Sequence, residues 1–165
     1  MRWFNKLIEK LYFSNQENAE TFQEIYKLAY TDTLTGLYNR NFYNYDSKFT
    51  YAVPRCFVLF VDVDNLKQTN DTYGHPEGDR LIISVADQLK RLSHAQQIIR
   101  YAGDEMLVIF GEEYDYAEFS ELEDCSWGFV EKGLNESLCS AVRRADDAMF
   151  IMKRSKKNRI GFNVG

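Results

Sequence analysis

An almost continuous apolar run, Cys56-Phe-Val-Leu-Phe-Val61, leads into Asp62-Val63-Asp64. A run of this length without alternation predicts a central strand buried on both faces. The period of two puts Asp62 and Asp64 on the same side at its end. Gln97 to Phe110 predicts two further strands, Ile98–Tyr101 and Met106–Phe110, joined by a tight turn carrying Gly103, Asp104 and Glu105. Gly103 is expected to supply the backbone freedom of that turn. Helical spacing marks Met1–Phe13, Asn18 to about Tyr30, and a segment from Asn39, its N-cap, through Phe42, Tyr45 and Phe49, with Pro54 separating it from the strand. Further helices are predicted from Asn65 to Tyr73, from Pro76 to about Leu92, and from Ser137 to about Arg154. Glu112–Asp124 reads as an acidic, aromatic loop with one helical turn, Cys125–Val130 as a strand followed by a turn, and Arg159–Val164 as a last strand. The order β-α-α-β-β-β-α-β predicts an α+β fold, a mixed sheet with packed helices close to a ferredoxin-like palm. Residues 1–29 form a helical docking or dimerisation segment ahead of a domain over 30–165.

Composition narrows this picture. At 165 residues and 45% hydrophobic content, the chain has the size and apolar content of one domain with a real core. Its net charge of −5 excludes a general nucleic-acid coat, so neither DNA nor RNA is expected as a partner. Cys56, Cys125 and Cys139 lie far apart, without metal-ligand spacing, as reduced thiols of a cytoplasmic protein do. Neither a membrane span nor a signal peptide is evident.

Two adjacent carboxylates at a hairpin tip help no core. Set beside a strand-end acid on a neighbouring strand, they match the hard-oxygen ligands of a divalent-metal phosphoryl-transfer site, with Asp62 and Asp104 as the pair and Glu105 beside them. The competing reading is a solvated acidic turn. Asn65 and Leu66 open a helix directly after the acids, where free N–H groups hold phosphate oxygens, and Lys67 follows. Lys153 and Lys157, spaced i,i+4, suit a triphosphate tail together, although each alone reads as a surface charge. Asn70 and Asp79 flank Gly74-His-Pro-Glu-Gly78. An amide and a carboxylate together can read the edge of guanine, although such pairs at turns usually serve as caps.

Five motifs then stand in order: Asp32-Thr-Leu-Thr-Gly-Leu-Tyr-Asn-Arg40, Asp62-Val-Asp-Asn-Leu-Lys67 with Asn70-Asp71, Gly74-His-Pro-Glu-Gly-Asp79, Arg100-Tyr-Ala-Gly-Asp-Glu-Met106, and Ala145-Asp-Asp-Ala-Met-Phe150 with Lys153 and Lys157-Asn158. With these motifs the chain resembles a GGDEF domain, the catalytic domain of diguanylate cyclases, over roughly Tyr30 to Phe162. The resemblance implies that Asp62, the Val63 carbonyl and Asp104 are ligands of Mg²⁺ or Mn²⁺. It makes Asp104 the proton acceptor for a ribose 3′-hydroxyl, assisted by Glu105. Asn70, His75 and Asp79 correspond to guanine and ribose contacts, and Asn65, Leu66, Lys67, Lys153 and Lys157 to the phosphate grip. The implied reaction joins two GTP into cyclic di-GMP, releasing two pyrophosphates, across a homodimer. The N-terminal helices are then expected to dimerise or to meet a sensor or effector partner.

The chain departs from the family pattern at four places. Ala102 and Met106 replace a glycine and an aromatic in the signature. The inhibitory product site, an Arg-x-x-Asp, would fall on Ser93-His-Ala-Gln96 and is absent, so no inhibition by that route is expected. Glu112–Asp124 is too short for the usual full helix, which leaves a sheet face for the N-terminal helix, a partner, or Tyr114 and Tyr116 to cover. The alternatives are a catalytically degenerate GTP-binding regulatory module and a palm-type cyclase making another cyclic dinucleotide.

Overall fold

A computed structural model describes residues 16–46 and 55–161 of the chain. Helix α1 (Gln16–Tyr30) leads into a wide turn built on Asp32. The Asp32 carboxylate accepts from the Thr35 amide and hydroxyl at 2.9 and 2.7 Å, and Gly36 takes a φ of 72° that a side chain would resist. Asn39 then caps α2 (Arg40–Asp46), its Oδ1 accepting from the amides of Asn41 and Phe42 at 2.9 and 3.1 Å.

The next elements are β1 (Cys56–Val63), α3 (Leu66–Tyr73), α4 (His75–Leu89), β2 (Ala95–Arg100), β3 (Glu105–Phe110), α5 (Tyr116–Phe119), β4 (Cys125–Lys132) and α6 (Leu138–Gly161). The four strands form one sheet in the order β2-β3-β1-β4. Its strand pairs are antiparallel; a parallel contribution comes from the isolated bridge between Tyr38 and Ile99, so the sheet is mixed only to that extent. Every residue of β1 is buried, as its unbroken apolar run requires. Phe57, Leu59, Val61 and Val63 pack with Ile82, Val85, Ala86 and Leu89 of α4. Cys56, Val58 and Phe60 pack with Leu138, Ala141, Val142, Ala145 and Met149 of α6 and with Phe42 and Tyr43 of α2. Burying these side chains on both faces is the main favourable term of the fold, at about 25 cal/mol per Å² of apolar surface.

Two expectations at the C-terminal end are corrected. Glu131 and Lys132 remain in β4 rather than turning, pairing with Phe57 and Cys56. The strand expected at Arg159–Val164 does not begin there, because α6 continues through Gly161. Between Ser137, whose Oγ caps the Ser140 amide at 3.1 Å, and Ile160 the chain has no glycine or proline to stop a helix. Met1–Phe13, Phe49, Pro54 and Phe162–Val164, each given a place in the expected pattern, lie outside the described residues.

The short 112–124 segment covers the sheet itself. Asp115 caps the single turn α5, accepting from the Ala117 amide at 2.9 Å. Tyr114 stands 4.4 Å from Phe57 and 4.8 Å from Phe129, ring centre to ring centre, and Tyr116 5.8 Å from Trp127. Beneath them Phe119 is fully buried, 5.0 Å from Phe129 and 5.6 Å from Phe110. Phe119 is the anchor, while Tyr114 and Tyr116 lie over the sheet and remain partly exposed, so one turn covers part of the face that a full helix would.

Candidate active site

Strand pairing assembles the acids. Asp62 lies opposite Glu105 in the β1–β3 register, and the Val63 amide donates to the Asp104 carbonyl at 3.0 Å. The end of β1 and the hairpin tip are thereby held side by side. From the other side comes α6, where Lys153 donates to Asp62 and Lys156 reaches Asp64 at 3.0 Å and the Cys125 carbonyl at 2.5 Å. Asp64 also accepts from Ser126 Oγ at 2.7 Å. Asp62 and Asp64 do share a side of the chain, and each has its own lysine.

Burial raises Asp62 above the usual carboxylate range. The Lys153 ammonium works against that rise, and the charges of Asp104 and Asp64 add to it. Glu105 is likewise pushed up, first by burial and then by Asp146, Asp104 and Asp62, with Arg40 opposing. Five carboxyl groups, those of Asp62, Asp64, Asp104, Glu105 and Asp146, crowd one corner, and positive charge arriving there would be stabilised. Among the described residues no three His, Cys, Asp or Glu side chains are arranged to hold a metal by themselves. Two carboxylates and a carbonyl are instead the donor set of a hard cation that completes its shell with phosphate and water.

Beside the acids opens a cleft of about 430 Å³, lined by Leu66, Lys67, Asn70, Asp71, His75, Ile82, Arg100, Gly103 and Asp104. Asn65, at the start of α3, takes a φ of 58° that turns the chain from strand into helix. The structure therefore brings Leu66, Lys67, Asn70, His75 and Asp104 to one cleft, and Asp62, Glu105 and Lys153 to its edge. Two expected residues are not drawn in. Asp79 is exposed one turn beyond His75 and does not line the cleft, and Lys157 is exposed one turn beyond Lys153.

The hairpin tip is braced by two arginines whose roles local spacing does not reveal. Arg100 donates through Nε and Nη2 to the Gly103 carbonyl at 3.1 and 2.7 Å, and through Nη1 to both oxygens of Asp32 at 3.1 Å. Arg40 lies 3.6 Å over the Tyr101 ring and donates to the Tyr101 carbonyl at 3.2 Å. Both arginines stand inside motifs readable in the sequence, but only the fold sets them on the turn. Ala102 and Gly103 do not sit at positive φ, and a Cβ on Gly103 would meet nothing within 4 Å. The turn therefore does not need the glycine, contrary to expectation. Its missing side chain leaves space at the cleft instead.

A family model described as "Diguanylate cyclase, GGDEF domain" matches residues 29–125. The chain belongs to the GGDEF family. The uncharacterized protein YtrP of Bacillus subtilis (strain 168) is 31% identical over 153 residues, covering 81% of this chain and 26% of that protein. Diguanylate cyclase VdcA of Vibrio cholerae is 30% identical over 184 residues, covering 90% of this chain and 54% of VdcA. The GGDEF chain thus spans about a quarter to a half of the length of these relatives. The solved coiled coil and GGDEF domain of DgcB from Caulobacter crescentus, in complex with c-di-GMP, matches 93% of each chain with a TM-score of 0.76 at 27% identity. That likeness agrees with the α+β architecture described above.

Proposed function

We propose that this GGDEF chain is a diguanylate cyclase, joining two GTP into cyclic di-GMP with release of two pyrophosphates. The observation that carries this is the convergence of Asp62, Asp104 and Glu105 on one edge of a cleft lined by Lys67, Asn70 and His75. Asp62, Asp104 and the Val63 carbonyl would hold Mg²⁺, or Mn²⁺, which neutralises phosphate charge and makes a bound hydroxyl more acidic. Lys67, with the amides of Asn65 and Leu66, receives phosphate oxygens at the start of α3. Lys153, paired here with Asp62, would be free for the triphosphate once that carboxylate held the cation, and Lys157 would add a second positive charge from the same helix. Asn70 and His75 meet the base and ribose; Asp79, exposed one turn along α4, would have to turn toward the cleft to join them.

In the chemical step a ribose 3′-oxygen bonds to the α-phosphorus of the other GTP, and the bond from that phosphorus to pyrophosphate breaks. The hydroxyl proton goes to Asp104, with Glu105, whose proton affinity is raised, beside it. The same exchange in the opposite sense closes the ring. The described residues of one chain offer one cleft of this kind, so two chains must face each other, each with its own nucleotide. Helix α1 supplies a surface for that pairing, with Ile25 and Leu28 57% and 78% exposed. The same helix is where a sensor or effector protein would act.

A second reading is a GTP-binding regulatory module without turnover. The Lys153–Asp62 ion pair favours it, because it occupies the carboxylate that the cation needs. Incubating the protein with Mg²⁺ and GTP, ATP or both, and resolving products by mass, separates the readings. Cyclic di-GMP from GTP alone is expected. An adenine-containing product would indicate another cyclic dinucleotide, and tight binding without product from a dimeric sample would favour the module. Asp104→Asn is expected to abolish product while leaving the melting temperature nearly unchanged, and full activity in that variant would remove the metal-site assignment.

A further inference from the structure

Gly78 occupies the first turn of α4, buried where that helix packs against α3. Glycine is among the poorest residues for a helix, and Gly78 has no positive φ to justify it. Its justification is the neighbour. A Cβ at position 78 would lie 1.9 Å from Asn70 Oδ1 and 2.8 Å from Asn70 Cγ, closer than real Cβ atoms come. The backbone of Asn70 is fixed in α3, its carbonyl accepting from the Gly74 amide at 2.9 Å. Any side chain at 78 would therefore displace the Asn70 amide itself, and the cleft that Asn70 lines is the open space beside it. The displaced oxygen is a particular one: Asn70 Oδ1 is buried and has no hydrogen-bond partner among the described residues.

We propose that Gly78 is a positioning residue for base recognition. By omitting a side chain it lets the Asn70 amide lie back against α4 at the wall of the cleft, from where a turn about its Cβ–Cγ bond presents its oxygen to a base. The inference rests on Asn70 being a nucleotide contact, as proposed above. A buried acceptor without a donor is unfavourable, and a ligand that brings adjacent N–H donors relieves it. The exocyclic amine and ring N–H of guanine are such donors. An alanine at 78 fills the recess and holds the amide where the base must enter.

The test uses Gly78→Ala, Asn70→Ala and the double variant. A non-hydrolysable GTP analogue is titrated calorimetrically with Mg²⁺, and thermal melting is followed in parallel. Gly78→Ala is expected to weaken binding about tenfold or more, the loss associated with one forfeited buried polar contact. Asn70→Ala is expected to do the same, and the double variant to bind no worse than Asn70→Ala. Melting supplies a readout that a simple helix effect would not give. Gly78→Ala should lower the melting temperature of the parent but raise that of Asn70→Ala, where alanine improves the helix, no amide is left to strike, and only the flexible end of Leu66, its Cδ1 3.1 Å away, must give slightly. Should Gly78→Ala fail to fold, the double variant decides, since it must fold and bind as Asn70→Ala does. Unchanged binding in Gly78→Ala beside a loss in Asn70→Ala would overturn the positioning role alone, as would losses that add in the double variant. Unchanged binding in Asn70→Ala would overturn the base contact and this inference together.

Discussion

Lys153 and Lys156 divide the strand-end acids between them, and the two pairs have different duties. Lys153 meets Asp62, which the proposed chemistry needs free, so that pair must open for turnover. Lys156 meets Asp64 and the Cys125 carbonyl, tying the end of β1 to the start of β4 and to α6. The Asp64 side chain is only 16% exposed and that of Lys156 40% exposed, so the pair is partly screened. Lys156→Met is expected to cost about 1 kcal/mol of stability, read as a shift in urea midpoint at constant slope. Lys153→Met should do the reverse, sparing the fold and impairing nucleotide turnover. A variant of Lys156 that lost turnover without losing stability would move this lysine from bracing to phosphate binding.

At the scale of elements, the hairpin tip and the α5 turn are both held by long-range contacts. Arg100 links the Gly103 carbonyl to Asp32, whose turn precedes α2. Burial tends to raise Asp32, but hydrogen bonds from Thr35 and Arg100 outweigh it and leave its pKa lowered. A carboxyl lowered on folding stabilises the protein above its ordinary pKa, and the benefit disappears as pH falls through the folded value. Asp32→Asn should therefore be less stable than the parent at neutral pH, and the gap should close as the solution is acidified below about pH 4. A gap independent of pH would mean the carboxylate contributes by shape rather than by charge. The α5 turn is tested by Phe119→Ala. Its ring is fully buried among aromatic neighbours, so a loss of about 3–5 kcal/mol is expected by chemical denaturation. A loss below about 1 kcal/mol would show that Tyr114 and Tyr116 cover the sheet without it.

At the scale of the whole molecule, one cleft offers half of what the proposed reaction needs. Ile25 and Leu28 are three residues apart on α1 and both exposed, the arrangement of a helix awaiting a partner. Leu28→Asp is expected to convert a dimer to a monomer by light scattering and to remove turnover, while binding of a GTP analogue to each cleft stays within about twofold of the parent. Unimpaired turnover in a monomeric sample would place the pairing surface elsewhere. No helix among the described residues is long and apolar enough to cross a membrane.

Local rules by themselves settled a good part of this protein. The unbroken Cys56–Val61 run required a strand buried on both faces, the period of two put Asp62 and Asp64 together, and Asn39 announced the start of α2. Each follows from contacts within a few residues, which sequence order already specifies. Which lysine meets which acid required the tertiary structure. Residues three and four apart lie about 60° and 40° from one another around a helix, so Lys156 and Lys157 both share a face with Lys153. The choice depends on how α6 is rotated against the sheet. Gly128 helps fix that rotation, because a Cβ there would come within 2.1 Å of the Ala145 carbonyl, and its absence lets the helix backbone rest on β4. The fate of Ile160 was also undecided locally, since Ile160, Phe162 and Val164 alternate as a strand does while the residues before them propagate a helix. Helix continuity wins as far as Gly161, because extending an existing helix is easier than starting a strand that must find a distant partner.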